Sequence, residues 1–159
     1  MVKIQGAGRV QFVRLADGTE IPADVVILAV GPVPNVELAK AAGLKLGPTG
    51  AIAVDRAMET SDPHVFACGD CAEKISFFKG RPSLLRLASI ATLEARVAGA
   101  NVYGIRREHA GMVGVWATAV GNMALGTAGL TETAARQNGY DFVTATVEGP
   151  NRHPGMMPG

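Results

Sequence analysis

Residues that could do chemistry concentrate in one stretch, Thr60-Ser61-Asp62-Pro63-His64-Val65-Phe66-Ala67-Cys68-Gly69-Asp70. Pro63 bends the chain ahead of a short apolar run, and residues 64–68 are expected to form a buried strand. Gly69 ends that strand without a side chain, so the backbone there can approach a ligand closely. Asp70 falls just past the carboxyl end of a strand, the place where open α/β sheets bind ligands. A carboxylate at that point accepts hydrogen bonds from sugar-type hydroxyls. Gly-Asp alone reads as an ordinary turn or helix cap; the complete stretch is what points to a ligand.

Two further groups need weighing. Cys68 and Cys71 have C-x-x-C spacing, which supports redox chemistry when a helix N-terminus lowers one thiol pKa. Here Cys68 lies in an expected buried strand and Asp70 adjoins Cys71, and both settings raise a thiol pKa. A zinc site needs more ligands than this pair supplies. Among His64, His109 and His153, none has an acid and a nucleophile arranged around it. His153, between Arg152 and Pro154, is the one to follow.

The elements that must position these residues follow from pattern. Residues 9–15 alternate and meet Asp17-Gly18, a hairpin signal. Residues 24–30 (DVVILAV) form a continuous apolar run, expected as a strand buried on both faces in a parallel sheet and stopped by Gly31-Pro32. Asn35 is expected to cap a helix over residues 36–42, closed by Gly43. A turn at Pro48-Thr49-Gly50 leads into a strand over residues 51–54. Residues 84–103 are the strongest helix candidate, with Leu87, Ala91, Leu93, Ala95, Val97 and Ala98 as its apolar face and Gly104 as its stop. Residues 112–119 and 123–128 read as strands joined at Gly121-Asn122. Thr131 caps a helix ending at Gly139, and residues 140–147 alternate as a strand. A domain boundary is placed near residues 106–111.

Composition limits the classes. In 159 residues, 48% hydrophobic content supplies a packed core and excludes a disordered chain. Fifteen Lys and Arg against fourteen Asp and Glu give a charge of +1, with no basic cluster beyond Arg106-Arg107. Nucleic acid is therefore not an expected partner. The longest apolar run, over residues 25–30, is far short of the ~20 residues that span a bilayer. With no apolar leader after Met1 and two cysteines outside any disulfide framework, the chain reads as cytoplasmic.

The stretch at residues 60–70 resembles the FAD-dependent pyridine nucleotide-disulfide oxidoreductases, in particular coenzyme A-disulfide reductases and NADH oxidases. The resemblance extends to Asp24-Val25-Val26-Ile27, Ala29-Val30-Gly31, Pro34-Asn35, residues 50–55, Cys71-Ala72-Glu73, and Gly129-Leu130-Thr131-Glu132 with Ala134-Ala135. It implies a mixed α/β (α+β) fold. Residues 1–108 would be a partial FAD/NAD(P)-binding domain, and residues 109–159 the start of an α+β dimerisation domain. It also implies FAD contacts at Gly31, Thr60, Ser61, Val65, Gly69, Asp70, Leu87, Ala88, Ala91 and Thr92. Asp70 would meet the ribityl chain, and the helix N-terminus near Leu87 would face the flavin ring. The parent enzyme would use NAD(P)H, form a homodimer, and reduce a small disulfide, peroxide or oxygen.

Departures from the pattern matter equally. No Gly-x-Gly-x-x-Gly fingerprint is present; Gly6-Ala7-Gly8 is too short and leads into a strand. The family's redox cysteine is also missing. Met156-Met157 stand before Pro158-Gly159 where coenzyme A-disulfide reductases tend to place a tyrosine pair, and thioethers cannot donate hydrogen bonds. The chain is therefore expected to be a C-terminal portion of such an enzyme, inactive alone. Two other readings stay open: a non-catalytic association module, and a small thiol oxidoreductase using Cys68 and Cys71.

Overall fold

The computed structural model describes residues 3–149; His153 and the Met156-Met157 departure lie outside them. The described residues form two compact units, one ending at Val33 and the other beginning at Pro34.

In the first unit, β1 (Lys3–Gln5), β2 (Phe12–Arg14) and β3 (Glu20–Pro22) form an antiparallel sheet in that order. The expected hairpin at Asp17-Gly18 joins β2 to β3: Asp17 Oδ1 accepts from the Thr19 amide at 2.9 Å, and Gly18 takes φ +89°. The long buried strand expected over residues 24–30 is not formed. Ile27 is 85% and Val30 90% exposed, with no strand pairing. A parallel-sheet strand draws its hydrogen bonds and its cover from flanking elements, and the described residues provide it no partner strand.

The second unit starts with α1 (Glu37–Ala41), whose N-cap is Val36, one residue later than expected and without a side-chain cap. Its end follows the expectation. The Gly43 amide bonds Lys40 O and the Leu44 amide bonds Ala39 O, a closure that needs positive φ at Gly43. The same closure recurs at Gly104 and Gly139. Residues 51–54 give only single bridges: Ile52 pairs antiparallel with Leu46 and parallel with Ala72. Around it Val36, Ala39, Ala67 and Ala72 form a small core.

After a 3-10 turn at Gly69–Cys71, the short strands β4 (Lys74–Ile75) and β5 (Pro82–Ser83) pair antiparallel. Helix α2 (Ala88–Val102) begins later than expected because residues 84–87 are held outside the helix. The Ser83 hydroxyl accepts from the Leu85 amide at 3.2 Å, the Arg86 guanidinium reaches Leu84 O at 3.0 Å, and Leu87 is extended. The buried face of α2 also differs from the expected one: it is Ile90, Glu94, Val97 and Ala98, while Leu93 and Ala95 are exposed. Met58 packs against Val97 and Ala98 in a second small core.

Strands β6 (Val115–Val120) and β7 (Met123–Ala128) form the expected two-residue hairpin at Gly121-Asn122, with Gly121 at φ +58°. Helix α3 (Glu132–Gln137) is capped by Thr131, whose Oγ1 accepts from the Ala134 amide at 3.2 Å. Residues 140–147 are not a strand; Val143 and Val147 are exposed, and alternation without a partner strand leaves the backbone unpaired. Residues 106–111 lie inside the second unit, tied to it by the His109 amide on Arg56 O at 2.7 Å.

Candidate functional site

The predicted residues fall into two groups and one outlier. Gly31 belongs to the first unit, exposed at φ +90° with open space around its α-carbon. The others lie in the second unit.

Thr60, Ser61 and Val65 build the loop leading to the site. Thr60 Oγ1 donates to Asp62 O and accepts from the Asp62 amide, both at 3.1 Å. Ser61 Oγ accepts from the Lys45 amide at 3.0 Å, and the Thr60 amide donates to Val65 O at 2.9 Å. The expected buried strand over residues 64–68 is reduced to one bridge, Glu59 with Phe66, and only Ala67 is buried. The Thr60 hydroxyl and the Asp62 carboxylate, which accepts from the His64 amide at 2.9 Å, draw the local backbone into a side-chain-stabilised turn instead of an extended pair.

Gly69, Asp70, Leu87, Ala88 and Ala91 come together. The turn at Gly69–Cys71 packs against the first turns of α2, and a β-carbon at Gly69 would lie 3.9 Å from Ala91 Cβ. Gly69 takes φ +79°, which its neighbours impose and an L side chain rarely adopts. Arg86 Nε donates to Asp70 O at 3.0 Å, fixing the turn to the residues just before α2. The Asp70 carboxylate is exposed and accepts no hydrogen bond among the described residues. Thr92 sits one turn further along, exposed, its hydroxyl donating to Ala88 O at 2.9 Å.

The N-terminus of α2 suits an electron-rich ligand. Leu87 provides no side-chain cap, and the first turn holds no acidic residue. The Ile90 and Ala91 amides both return to Leu87 O at 3.0 Å, so the amides ahead of them keep their donor capacity. A helix end of this kind favours negative charge. An acceptor carboxylate at Asp70 beside free donors at α2 fits a flavin nucleotide: polyol hydroxyls for the first, an electron-rich ring for the second.

What holds this arrangement is a buried ion pair, a pairing that residue spacing did not point to. Lys74 and Glu94 have side chains 0% and 3% exposed, and Lys74 Nζ donates to Glu94 Oε2 at 2.8 Å. The ammonium also donates to Ala72 O at 3.1 Å and to Gly69 O, which satisfies all three of its protons. Glu94 Oε2 in turn accepts from the Gly69 amide at 2.9 Å. The turn that presents Asp70 is thus clamped at both its N–H and its carbonyl. One signal was available: Glu94 lies four residues after Ile90 and three before Val97, in the stripe that α2 buries.

The same pair bears on the cysteines. Burial pushes the Cys68 thiol up, the Glu94 carboxylate and Cys71 push it further, and Lys74 opposes them. The charge responsible is Glu94 rather than Asp70. Both cysteines are free, and Cys71 Sγ donates to Cys68 O at 3.5 Å. Among the described residues no group of three or more His, Cys, Asp or Glu could hold a metal, and no helix is long and apolar enough to cross a membrane.

The mixed α/β fold matches that of FAD- and NAD-binding oxidoreductases. The chain belongs to the pyridine nucleotide-disulphide oxidoreductase family, whose pattern matches residues 1–95. It is 40% identical over 158 residues to the NAD(P)H sulfur oxidoreductase (CoA-dependent) of Pyrococcus furiosus, covering 99% of this chain and 35% of that protein. With an NADH oxidase of Methanocaldococcus jannaschii it shares 38% identity over 133 residues, 84% of this chain and 29% of that one. Among solved structures, an FAD-dependent pyridine nucleotide-disulphide oxidoreductase from Desulfovibrio vulgaris superposes with a TM-score of 0.81 at 41% identity. That match covers 91% of this chain and 36% of the other. The chain therefore spans about a third of the length of the relatives it matches.

Proposed function

We propose that this chain is the part of an FAD-dependent NAD(P)H oxidoreductase that contacts the ribityl chain and the back of the flavin ring. The observation carrying the reading is the Gly69-Asp70 turn, clamped by Glu94 and Lys74 against the uncapped N-terminus of α2. FAD, when bound, supplies the hydride-accepting chemistry. Asp70 accepts from a ribityl hydroxyl, Gly69 lets the backbone come close, and the helix end stabilises negative charge on the ring. Leu87, Ala88, Ala91 and Thr92 line that end, while Thr60, Ser61 and Val65 support the loop behind it. Gly31 marks the passage from the NAD part of the parent to its FAD part.

Residues 1–108 are assigned to the FAD/NAD(P)-binding region and 109–159 to the start of a dimerisation domain. Val115, Val120, Met123 and Leu125 of the β6–β7 hairpin are exposed, as strands awaiting a partner surface are. The parent works in the cytoplasm as a homodimer and passes hydride from NAD(P)H through flavin to a disulfide, persulfide, peroxide or oxygen. By itself the chain turns nothing over, because the sequence holds no Gly-x-Gly-x-x-Gly cradle for either dinucleotide. The thiol oxidoreductase reading loses ground to the raised Cys68 thiol.

The test is an FAD titration of the purified chain. Weak quenching of flavin fluorescence is expected, weakened about tenfold further by Asp70→Ala, which removes a hydrogen bond to a charged acceptor. Equal affinity for the two proteins would remove Asp70 from the site. A stoichiometric yellow flavin in the purified chain would sink the claim of an incomplete site.

A further inference from the structure

A second polar cluster lies behind the Gly69-Asp70 turn and shares Glu94 with its clamp. Glu73, Glu94, His109 and Gly111, together with Asp55 and Arg56, line a small cavity of about 10 Å³, roughly room for one water molecule. Two of its lining residues are buried polar side chains with an atom that has no partner among the described residues: Glu73, 5% exposed, at Oε1, and His109, 7% exposed, at Nε2. Unpaired buried polar atoms are rare and cost about 1–3 kcal/mol each, so two beside one cavity call for an explanation.

Their chemistry is complementary. His109 Nδ1 accepts from the Gly111 amide at 3.1 Å, so Nδ1 carries no proton and the neutral ring holds its hydrogen on Nε2. Glu73 Oε2 already accepts from the Thr49 hydroxyl at 2.7 Å, which leaves Oε1 as a free acceptor. Glu73 and His109, one with an unfilled acceptor and the other with an unfilled donor, both line a space that fits a molecule able to be both. Burial favours the neutral ring, against the pull of Glu94 and in concert with the Lys74 charge.

We propose that this cavity is the binding site of a single internal water, which accepts from His109 Nε2–H and donates to Glu73 Oε1. The water closes a hydrogen-bonded chain from Thr49 through Glu73 and His109 to Gly111. It thereby links residues 109–111 to the turn at residues 47–50, where the Glu73 carboxylate packs against Gly47: a β-carbon there would lie 2.3 Å from Oε2, so a larger residue would have to displace it. A sodium or ammonium ion has the right size but would meet the Nε2–H donor head-on, so water is the occupant the chemistry selects.

Imidazole nitrogen NMR on the full 159-residue chain, labelled with nitrogen-15, tests this directly. The expected result is a neutral His109 protonated at Nε2, with a cross-relaxation peak from that proton to a long-lived water. A proton on Nδ1, or an Nε2–H with no such peak, overturns the proposal. A high-resolution crystal structure gives an independent reading, with density within ~3.2 Å of both atoms expected. An empty cavity, a direct Glu73–His109 bond, or density replaced by rubidium on soaking overturns it as well.

Discussion

Glu94 and Lys74 are the side chains on which the geometry of the Asp70 turn most depends. Burying the two charges costs desolvation, and the pair repays it through three donor bonds from Lys74 and two acceptor bonds at Glu94 Oε2. Removing one partner leaves the other charge buried alone. Lys74→Met and Glu94→Leu are each expected to lower unfolding stability by about 3–5 kcal/mol in urea titrations. The double variant recovers part of this but not all of it. It still leaves the Gly69 amide without its acceptor, at about 1–3 kcal/mol. A double variant as stable as the parent would show that the clamp on Gly69 carries no weight.

His109 gives a pH dependence at the same scale. Burial holds its pKa below the ordinary 6.5, with Glu94 raising it and Lys74 lowering it; Glu73, Asp55 and Arg56 also face the cavity. The unfolded chain therefore takes up a proton first as pH falls. The stabilisation is fully present above about pH 6.5 and is lost as pH drops through the lower folded value. Urea midpoints measured from pH 7.5 down to 5.5 are expected to fall, and to fall less in His109→Gln. Parallel slopes for the two proteins would rule His109 out as the source.

At the scale of elements, caps decide where helices start and stop. Thr131 makes the only side-chain N-cap among the described helices, and α3 has six residues with few buried contacts to compensate for its loss. Thr131→Ala is expected to cost about 1 kcal/mol and to raise amide exchange within residues 132–137 ahead of the rest of the unit. Unchanged exchange there would mean packing by Ala135 alone holds the helix. α2 behaves differently: its uncapped start has the two arginine-anchored carbonyls and the Asp70 turn for neighbours, an arrangement suited to a ligand rather than to stability.

For the whole molecule, the weak point is the stretch before Pro34. Residues 24–33 have no regular structure and expose Ile27, Leu28 and Val30, next to the place where the two compact units part. Limited digestion with a protease that prefers apolar residues is expected to cut there first and leave a resistant piece beginning near Pro34. First cuts within α2 or β6–β7 would place the least protected backbone elsewhere.

Much of this was legible in the sequence. The three glycine stops, the Asp17-Gly18 and Gly121-Asn122 turns and the Thr131 cap depend on a few consecutive residues, and local backbone sterics and hydrogen bonds suffice to fix them. The mixed α/β class and the family resemblance belong to the same local register. Other features required the assembled chain. Residues 24–30 and 140–147 have strand patterns, yet a strand exists only where another strand answers its hydrogen bonds. Residues 84–87 have helical composition, but Arg86 and Ser83 draw them into other bonds. The pairing of Lys74 with Glu94, twenty residues apart, and the cavity shared by Glu73 and His109 could not be read from spacing. Burial turns ordinary surface residue types into a charged clamp and an unpaired polar pair, and burial is decided only when the tertiary structure closes.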